Sequence, residues 1–358
     1  MGAPVGKPLI TANQVTFARL ALLPFGSWMM YQGLQGLWVA LVFMTIVGST
    51  DFVDGWLARK YGPTVLGSLM DPIADKVFVA AIFIPAVDLG WLPWYLVALI
   101  FTREYLVTAM RTVYERRQVS LKTMYLAKVK TWFQMCGVAV LFLLHAVQTP
   151  RYLTYILGSL ALSPVVGGVV FYLVRRQRWR GSFWFAICFG ALWASFEIWG
   201  ARHVGVGVGW AIFAITWASG GAYAAGLREL PGTGRVDGGD VARVFGALTL
   251  PVLALWAVSF GAAPSWPVII ALAQEFAGGG LDNLLAHGRT LPSTFGWTAR
   301  VVPQAILLGA AAWAAASGRR ELVGWLFYAT AGVTTISAAI LFFRQRRAYL
   351  GEAEQLAP

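Results

Sequence analysis

Asp51, Asp54, Asp71 and Asp75 stand close together in a chain that is otherwise strongly apolar. The first pair lies in Ser49-Thr-Asp51-Phe-Val-Asp54-Gly55-Trp-Leu-Ala58-Arg59, the second in Gly67-Ser-Leu-Met-Asp71-Pro-Ile-Ala-Asp75-Lys76. On helices, residues three or four apart share a face, so each pair presents two carboxylates on one side. The short basic loop 60–66 then brings the two faces together as a four-carboxylate cluster. Such a cluster repels itself unless cations hold it, and hard oxygen donors in this number suit Mg²⁺ or Mn²⁺. One charge at the centre of a membrane helix costs about 2.5–3.5 kcal/mol, so four cost on the order of 10 kcal/mol without compensation. The cluster is therefore expected near a membrane interface or in a wet, cation-filled pocket. Lone acids near helix ends are ordinarily caps or solvated, but four with Gly55, Ala58, Arg59 and Gly67 at fixed intervals are not accounted for that way.

The elements that must position these residues follow from composition. The 358 residues are 58% hydrophobic and 12% charged, with a mean hydropathy of +0.65. That describes an all-α, polytopic membrane protein. Seventeen Trp suit interfacial belts, and the net charge of +12 belongs to the positive-inside rule, with no nucleic-acid partner expected. Cys136 and Cys188 both fall in apolar runs, and His145, His203 and His287 are scattered, so neither a disulfide framework nor a His/Cys metal set is expected. No removable signal peptide is read at the N-terminus.

Apolar runs of spanning length lie at about 16–32, 34–59, 67–89, 91–111, 123–144 and 152–174. The connections alternate: 31–36 and 87–93 carry no Lys or Arg, whereas Arg59, Lys60, Arg116, Arg117, Lys122 and the Arg175–Arg180 stretch are basic. Basic loops face the cytosol, which puts the N-terminus and the aspartates on the side where nucleotides and Mg²⁺ reside. The cell's inner or plasma membrane is the expected location.

The order Asp-x-x-Asp-Gly-x-x-Ala-Arg…Gly-x-x-x-Asp-x-x-x-Asp resembles the signature of the CDP-alcohol phosphatidyltransferase family, whose members move a phosphatidyl group from a CDP-linked lipid to an alcohol. Seven residues separate Arg59 from Gly67, one or two fewer than the family pattern, and the difference falls in the loop. The resemblance covers roughly residues 10–176 and implies a six-helix transmembrane bundle there. It implies that Asp51, Asp54 and Asp71, with Asp75, hold metal, most simply two divalent ions, and that Asp75 is the base that deprotonates the acceptor. Gly55 and Ala58 would let the nucleotide approach the helix backbone, Arg59 would touch a phosphate, and Gly67 completes the set around the lipid diphosphate. A homodimer through the first half is also implied.

Further residues are similar to the branch of that family whose acceptor is glycerol 3-phosphate: Asn13-x-x-Thr16-x-x-Arg19, Arg103-Glu104 with Arg111, and Lys128-Val-Lys130-Thr131-x-x-Gln134. A free phosphate needs fixed cations. Arg103 and Arg111 are eight apart and share a helix face, and Lys128 and Lys130 lie on the next span. These four are the candidate acceptor-phosphate ligands; Arg116, Arg117 and Lys122 read as markers of cytosolic span ends, and Lys76 as a counter-ion of Asp75. An uncharged or lipid acceptor, such as inositol, serine or phosphatidylglycerol, would not need the lysine pair.

Two domains are expected, 1–176 and a second transmembrane region, 181–350, with no motif. The second has apolar runs at about 183–200, 206–227, 244–263, 266–277, 297–316 and 322–343. The run 266–277 is short and either spans, giving about twelve spans in total, or is re-entrant. The segment Val236–Arg243 has Asp-Gly and Ala-Arg in the wrong order for a second site, and Asp240 reads as a helix N-cap. The cluster Gly278-Gly-Gly-Leu-Asp282-Asn283 reads as a tight turn. Glu197, Gln274 and Glu275 are polar within apolar runs, and each is either functional or paired with a neighbour. The competing function class is a transporter with an acidic ion site, or a fusion whose second half moves lipid. Ion coordination alone, however, has no need of the fixed Gly, Ala and Arg.

Overall fold

The computed structural model describes residues 10–62, 64–117, 125–177, 179–221, 223, 238–287 and 294–350. Among them the regular structure is entirely helical. The first half contains α1 (Ala12–Met29), α2 (Gly33–Tyr61), α3 (Val65–Asp88), α4 (Trp94–Arg116), α5 (Tyr125–Ala146) and α6 (Pro150–Arg175). The second contains α7 (Arg180–Ala218), α8 (Gly238–Val258), α9 (Trp266–His287), α10 (Thr294–Ala316), α11 (Arg320–Arg344) and the short α12 (Arg346–Leu350). Of these, α2, α5, α6, α7, α8 and α11 are long and apolar enough to cross a membrane. The chain is a multi-pass membrane protein, as its composition requires.

Local signals set the ends that matter for the site. Thr11 and Gln14 form a reciprocal capping box that starts α1. Thr64 caps α3 by accepting from the Gly67 N–H at 2.9 Å. The helix therefore begins before Gly67, and Pro72 sits inside it rather than in its first turn. The link from α2 to α3 is only residues 62–64, shorter than the 60–66 loop expected, and Gly62 turns there at φ 97°.

α7 is two rods. Its helical path breaks at Gly200, with φ 75° and ψ 172°. Before the break, Glu197 meets Thr154 of α6, and Gly168 of α6 lies against Ser182. After it, Gly205 faces Leu141 and Leu144 of α5, and Gly137 faces Ile212. The first arm thus runs antiparallel to α6, which itself returns from α5, and the second runs antiparallel to α5, so the chain reverses at Gly200. The two arms are the runs 183–200 and 206–227 read from the sequence, the latter described as far as 221 and at 223.

Two expectations need correction. The run 266–277 is longer than its apolar stretch suggests, being the first part of α9, a 22-residue helix. It starts beside Ser265, which meets the Tyr31 hydroxyl at 2.8 Å, and reaches the opposite end of α3, where Gly280 abuts Ile73. The cluster at Gly278 is not a turn. A Cβ on Gly278 would stand 2.5 Å from Arg300 Nη1, one on Gly279 2.9 Å from Thr108, and one on Gly280 3.0 Å from Ile73. The glycines let α9 lie close against α3, α4 and α10.

The halves share one core. α4 packs along α8 and α9, and α9 also packs on α3 and α11. Phe83 and Phe101 from the first half and Leu250, Phe276 and Leu308 from the second belong to one buried cluster. Polar residues within the apolar runs of the second half find partners: Arg300 bridges Glu275 (3.0 Å) and Asp282 (3.2 Å), and the half-buried Gln274 donates to Thr335. Asp240 lies in the first turn of α8 as an ion-pair partner of Arg116 (3.1 Å), Arg117 (3.0 Å) and Arg243 (3.7 Å). Arg116 and Arg117 therefore do more than mark a span end.

Candidate active site

The four aspartates converge where the ends of α1, α2 and α3 meet, and Arg19 of α1 stands among them. Arg19 Nη1 lies 2.8 Å from Asp51 Oδ1 and 3.4 Å from Asp75 Oδ1, and Nη2 lies 3.4 Å from Asp54 Oδ2. One turn earlier, the Thr16 hydroxyl lies 3.2 Å from Asp54 Oδ2 and 3.3 Å from Asp71 Oδ1. Arg19 and Asp54 are buried, whereas the side chains of Asp51 and Asp75 are each 42% exposed. Arg19 is the only charged residue of α1, a lone ionisable side chain in a membrane helix. That signal is readable from sequence, although it does not say which partners the arginine has.

One guanidinium against four carboxylates leaves a formal excess of negative charge, and the Thr16 hydroxyl adds a neutral oxygen. That chemistry fits Mg²⁺ or Mn²⁺, not a soft metal. Among the described residues no group of three or more acidic, His or Cys side chains is set close enough to hold an ion as it stands. Asp51, Asp54 and Asp75 are instead drawn onto Arg19, and Asp71 onto Thr16. Asp51 and Asp75 have the exposed oxygens that a cation could reach from outside.

Gly55 is partly buried, and a Cβ there would stand 3.5 Å from Arg59 Nη1, so the exposed Arg59 lies back along the helix across it. Ala58 is partly buried on the same helix. Gly67 has a packing reason of its own: a Cβ would stand 2.9 Å from Asn13 Oδ1 and 3.0 Å from Thr64 Oγ1.

Two voids meet at Asp75. One is a polar cavity of about 390 Å³ whose lining includes Asp75, Lys76, Arg103, Glu104, Arg111 and Lys130. Glu104 is buried and accepts from Arg103 at 3.0 Å and from Lys130 at 2.8 Å. Arg111 Nη2 donates to the Tyr223 hydroxyl at 3.0 Å. Arg103 Nε is buried with no hydrogen-bond partner among the described residues. Three of the four residues expected to bind the acceptor phosphate are thus brought to one cavity. Lys128 lies on α5, but its side chain is outside the described residues. Lys76 also lines the cavity: it bonds the Thr108 hydroxyl and sits 5.2 Å over the Phe276 ring. It is the only Lys or Arg of α3, and its position one residue after Asp75 suggests only a counter-ion. The other void is an apolar groove of about 460 Å³ between α2 and α5 over α3, running from Phe142 and Phe78 to Asp51 and Asp75.

Comparison with known proteins identifies the family of the first half of the chain. The family model for CDP-alcohol phosphatidyltransferase matches residues 9–166. The chain is 34% identical over 145 residues to CDP-diacylglycerol–glycerol-3-phosphate 3-phosphatidyltransferase of Bacillus subtilis, covering 75% of that protein and 37% of its own length. The chain belongs to the CDP-alcohol phosphatidyltransferase family. It is also 36% identical over 134 residues to the protein of the same name from Rickettsia bellii (74% of that protein, 37% of this chain). To the probable phosphatidylglycerophosphate synthase of Mycobacterium tuberculosis it is 33% identical over 172 residues (81% and 47%). No solved structure matches. The family match runs from α1 into α6 and stops short of α7, and the chain is a membrane phosphatidyltransferase.

Proposed function

We propose that this phosphatidyltransferase moves the phosphatidyl group of CDP-diacylglycerol to glycerol 3-phosphate, giving phosphatidylglycerophosphate and CMP. The observation that carries the reading is the position of Asp75, which lines both the cation-rich cavity and the apolar groove. An acyl chain in the groove and a small phosphorylated alcohol in the cavity would meet there. The names of the relatives point to the same pair of substrates.

In this mechanism Asp75 accepts the proton of the acceptor hydroxyl. The freed oxygen forms a bond to the phosphatidyl phosphorus, and the bond from that phosphorus to CMP breaks, CMP leaving with the electron pair. Arg103, Arg111 and Lys130, with Lys128 and Lys76, hold the acceptor phosphate. Asp51, Asp54 and Asp71, with Asp75, would hold two divalent ions. When bound, these ions neutralise the diphosphate and the departing CMP. Gly55 and Ala58 leave the α2 backbone open to the nucleotide, Gly67 makes room for Asn13 and Thr64 at the start of α3, and Arg59 reaches a phosphate. Placing both substrates at one carboxylate supplies much of the rate by proximity. The active site faces the cytosol of the inner or plasma membrane, where CMP is released, and the enzyme works as a homodimer through its first half.

The test is CMP release by purified protein in detergent with CDP-diacylglycerol and Mg²⁺, given glycerol 3-phosphate, glycerol, inositol, serine or phosphatidylglycerol separately. Release with glycerol 3-phosphate alone supports the reading. Release with a neutral alcohol instead refutes the acceptor assignment and leaves the family chemistry standing.

A further inference from the structure

The cavity that receives the acceptor in the reading above is not closed by the family region alone. That region ends at residue 166, yet Ser219, Tyr223, Phe276, Gly280 and Asn283 line the same cavity. Two of them hydrogen-bond its arginines. Ser219 Oγ accepts from Arg103 Nη2 at 2.8 Å, while its own hydrogen goes to the Thr216 carbonyl at 2.7 Å. The Tyr223 hydroxyl accepts from Arg111 Nη2 at 3.0 Å.

The segment carrying these residues is tied to α4. Trp217 Nε1 donates to the Leu99 carbonyl at 3.1 Å, and the Tyr114 hydroxyl donates to the Tyr223 carbonyl at 2.5 Å. Between them lies Gly220, where a Cβ would stand 3.3 Å from Arg103 Nε. The end of α7 is therefore shaped around that arginine. A hydroxyl fixes a guanidinium without cancelling its charge, as a carboxylate would. Arg103 and Lys130 share the one carboxylate of Glu104, so together they keep a net positive charge. An arginine held in place before the ligand arrives loses less conformational freedom on binding.

We propose that the second membrane half completes the acceptor site, with Tyr223 and Ser219 as positioning residues that hold Arg111 and Arg103 ready for the phosphate of a small anionic acceptor. This rests on the acceptor assignment above. It gives residues 181–350 a part in the reaction although they lie outside the family match.

The experiment uses the full-length protein and Tyr223→Phe, which keeps the ring and the backbone carbonyl that Tyr114 holds. Ser219→Ala is the second variant. KM for glycerol 3-phosphate should rise about threefold to tenfold, the range for one ordinary hydrogen bond, because each hydroxyl steadies an arginine and does not itself touch the acceptor, while kcat and KM for CDP-diacylglycerol stay within about twofold. In an Arg111→Ala background, Tyr223→Phe should add nothing, because it acts through Arg111. An unchanged acceptor KM in both single variants overturns the proposal. So does an equal loss toward both substrates, which marks a structural role, or a Tyr223 effect that persists without Arg111. The wild type separates the two levels: if it releases CMP only with a neutral alcohol, the acceptor assignment fails. If it uses glycerol 3-phosphate and the variants match it, only the positioning role fails.

Discussion

Replacing Arg19 by Met keeps much of the side-chain volume and removes the cation that is paired with three of the site's aspartates. The substitution breaks the ion pairs to Asp51 at 2.8 Å and to Asp54 and Asp75 at 3.4 Å, made by a guanidinium that is 1% exposed. Asp51 and Asp75 can still draw on solvent. Asp54 is 4% exposed at its side chain and keeps the Thr16 hydroxyl at 3.2 Å. Removing one partner of a buried ion pair costs about 3–5 kcal/mol, and the single buried aspartate dominates that figure. A divalent ion on the same carboxylates replaces the missing charge, and at a hundredfold excess over its Kd it stabilises by about 2.7 kcal/mol. Arg19 competes with the ion for those oxygens, so Mg²⁺ should stabilise Arg19→Met more than it stabilises the wild type. The assay is denaturant unfolding in detergent, followed by tryptophan fluorescence, in EDTA and in Mg²⁺. The variant should lose about 3–5 kcal/mol in EDTA and recover at least about a third of it in Mg²⁺. A loss under about 1 kcal/mol in EDTA, or the same Mg²⁺ effect in both proteins, would refute the view of the aspartates as one cation-dependent cluster around Arg19.

Gly278→Ala puts a methyl group 2.5 Å from Arg300 Nη1 and should destabilise the protein by about 1–3 kcal/mol, read as a lower apparent Tm; a neutral result would mean that α9 and α10 are not so closely packed. Truncation after residue 176 strips α4 of its cover from α8 and α9, so the shortened chain should fail to give a monodisperse, active preparation, and full activity from it would contradict the shared core. Lys76→Met should raise KM for glycerol 3-phosphate with little change in KM for CDP-diacylglycerol, since Lys76 lines the polar cavity and not the apolar groove; a selective effect on the lipid substrate would reverse that assignment.

The aspartate site is legible in the sequence because helical spacing alone puts Asp51 with Asp54 and Asp71 with Asp75, and a short link can only fold α2 back on α3. The two arms of α7 are legible for a similar reason, as two apolar runs parted near Gly200. Arg19 is visible as the lone charge of α1 and as part of the Asn13-x-x-Thr16-x-x-Arg19 pattern, and Lys76 as the lone cation of α3. Spacing along one helix does not show which residues of other helices they meet. The cluster at Gly278 misleads because a glycine run favours a turn unless close helix packing stabilises the helix, and Arg300, Thr108 and Ile73, which supply that packing, lie elsewhere in the sequence. The part played by Ser219 and Tyr223 leaves no motif, since a hydroxyl that steadies an arginine carries no spacing rule of its own.

The most direct measurement follows labelled glycerol 3-phosphate into chloroform-extractable lipid, with CDP-diacylglycerol and Mg²⁺, for the wild type and a folded Asp75→Asn variant. Labelled phosphatidylglycerophosphate should form with the wild type and fall by roughly a hundredfold or more in the variant, the scale of losing a positioned base. Undiminished labelling by Asp75→Asn would contradict the placement of the reaction at the junction of the cavity and the groove.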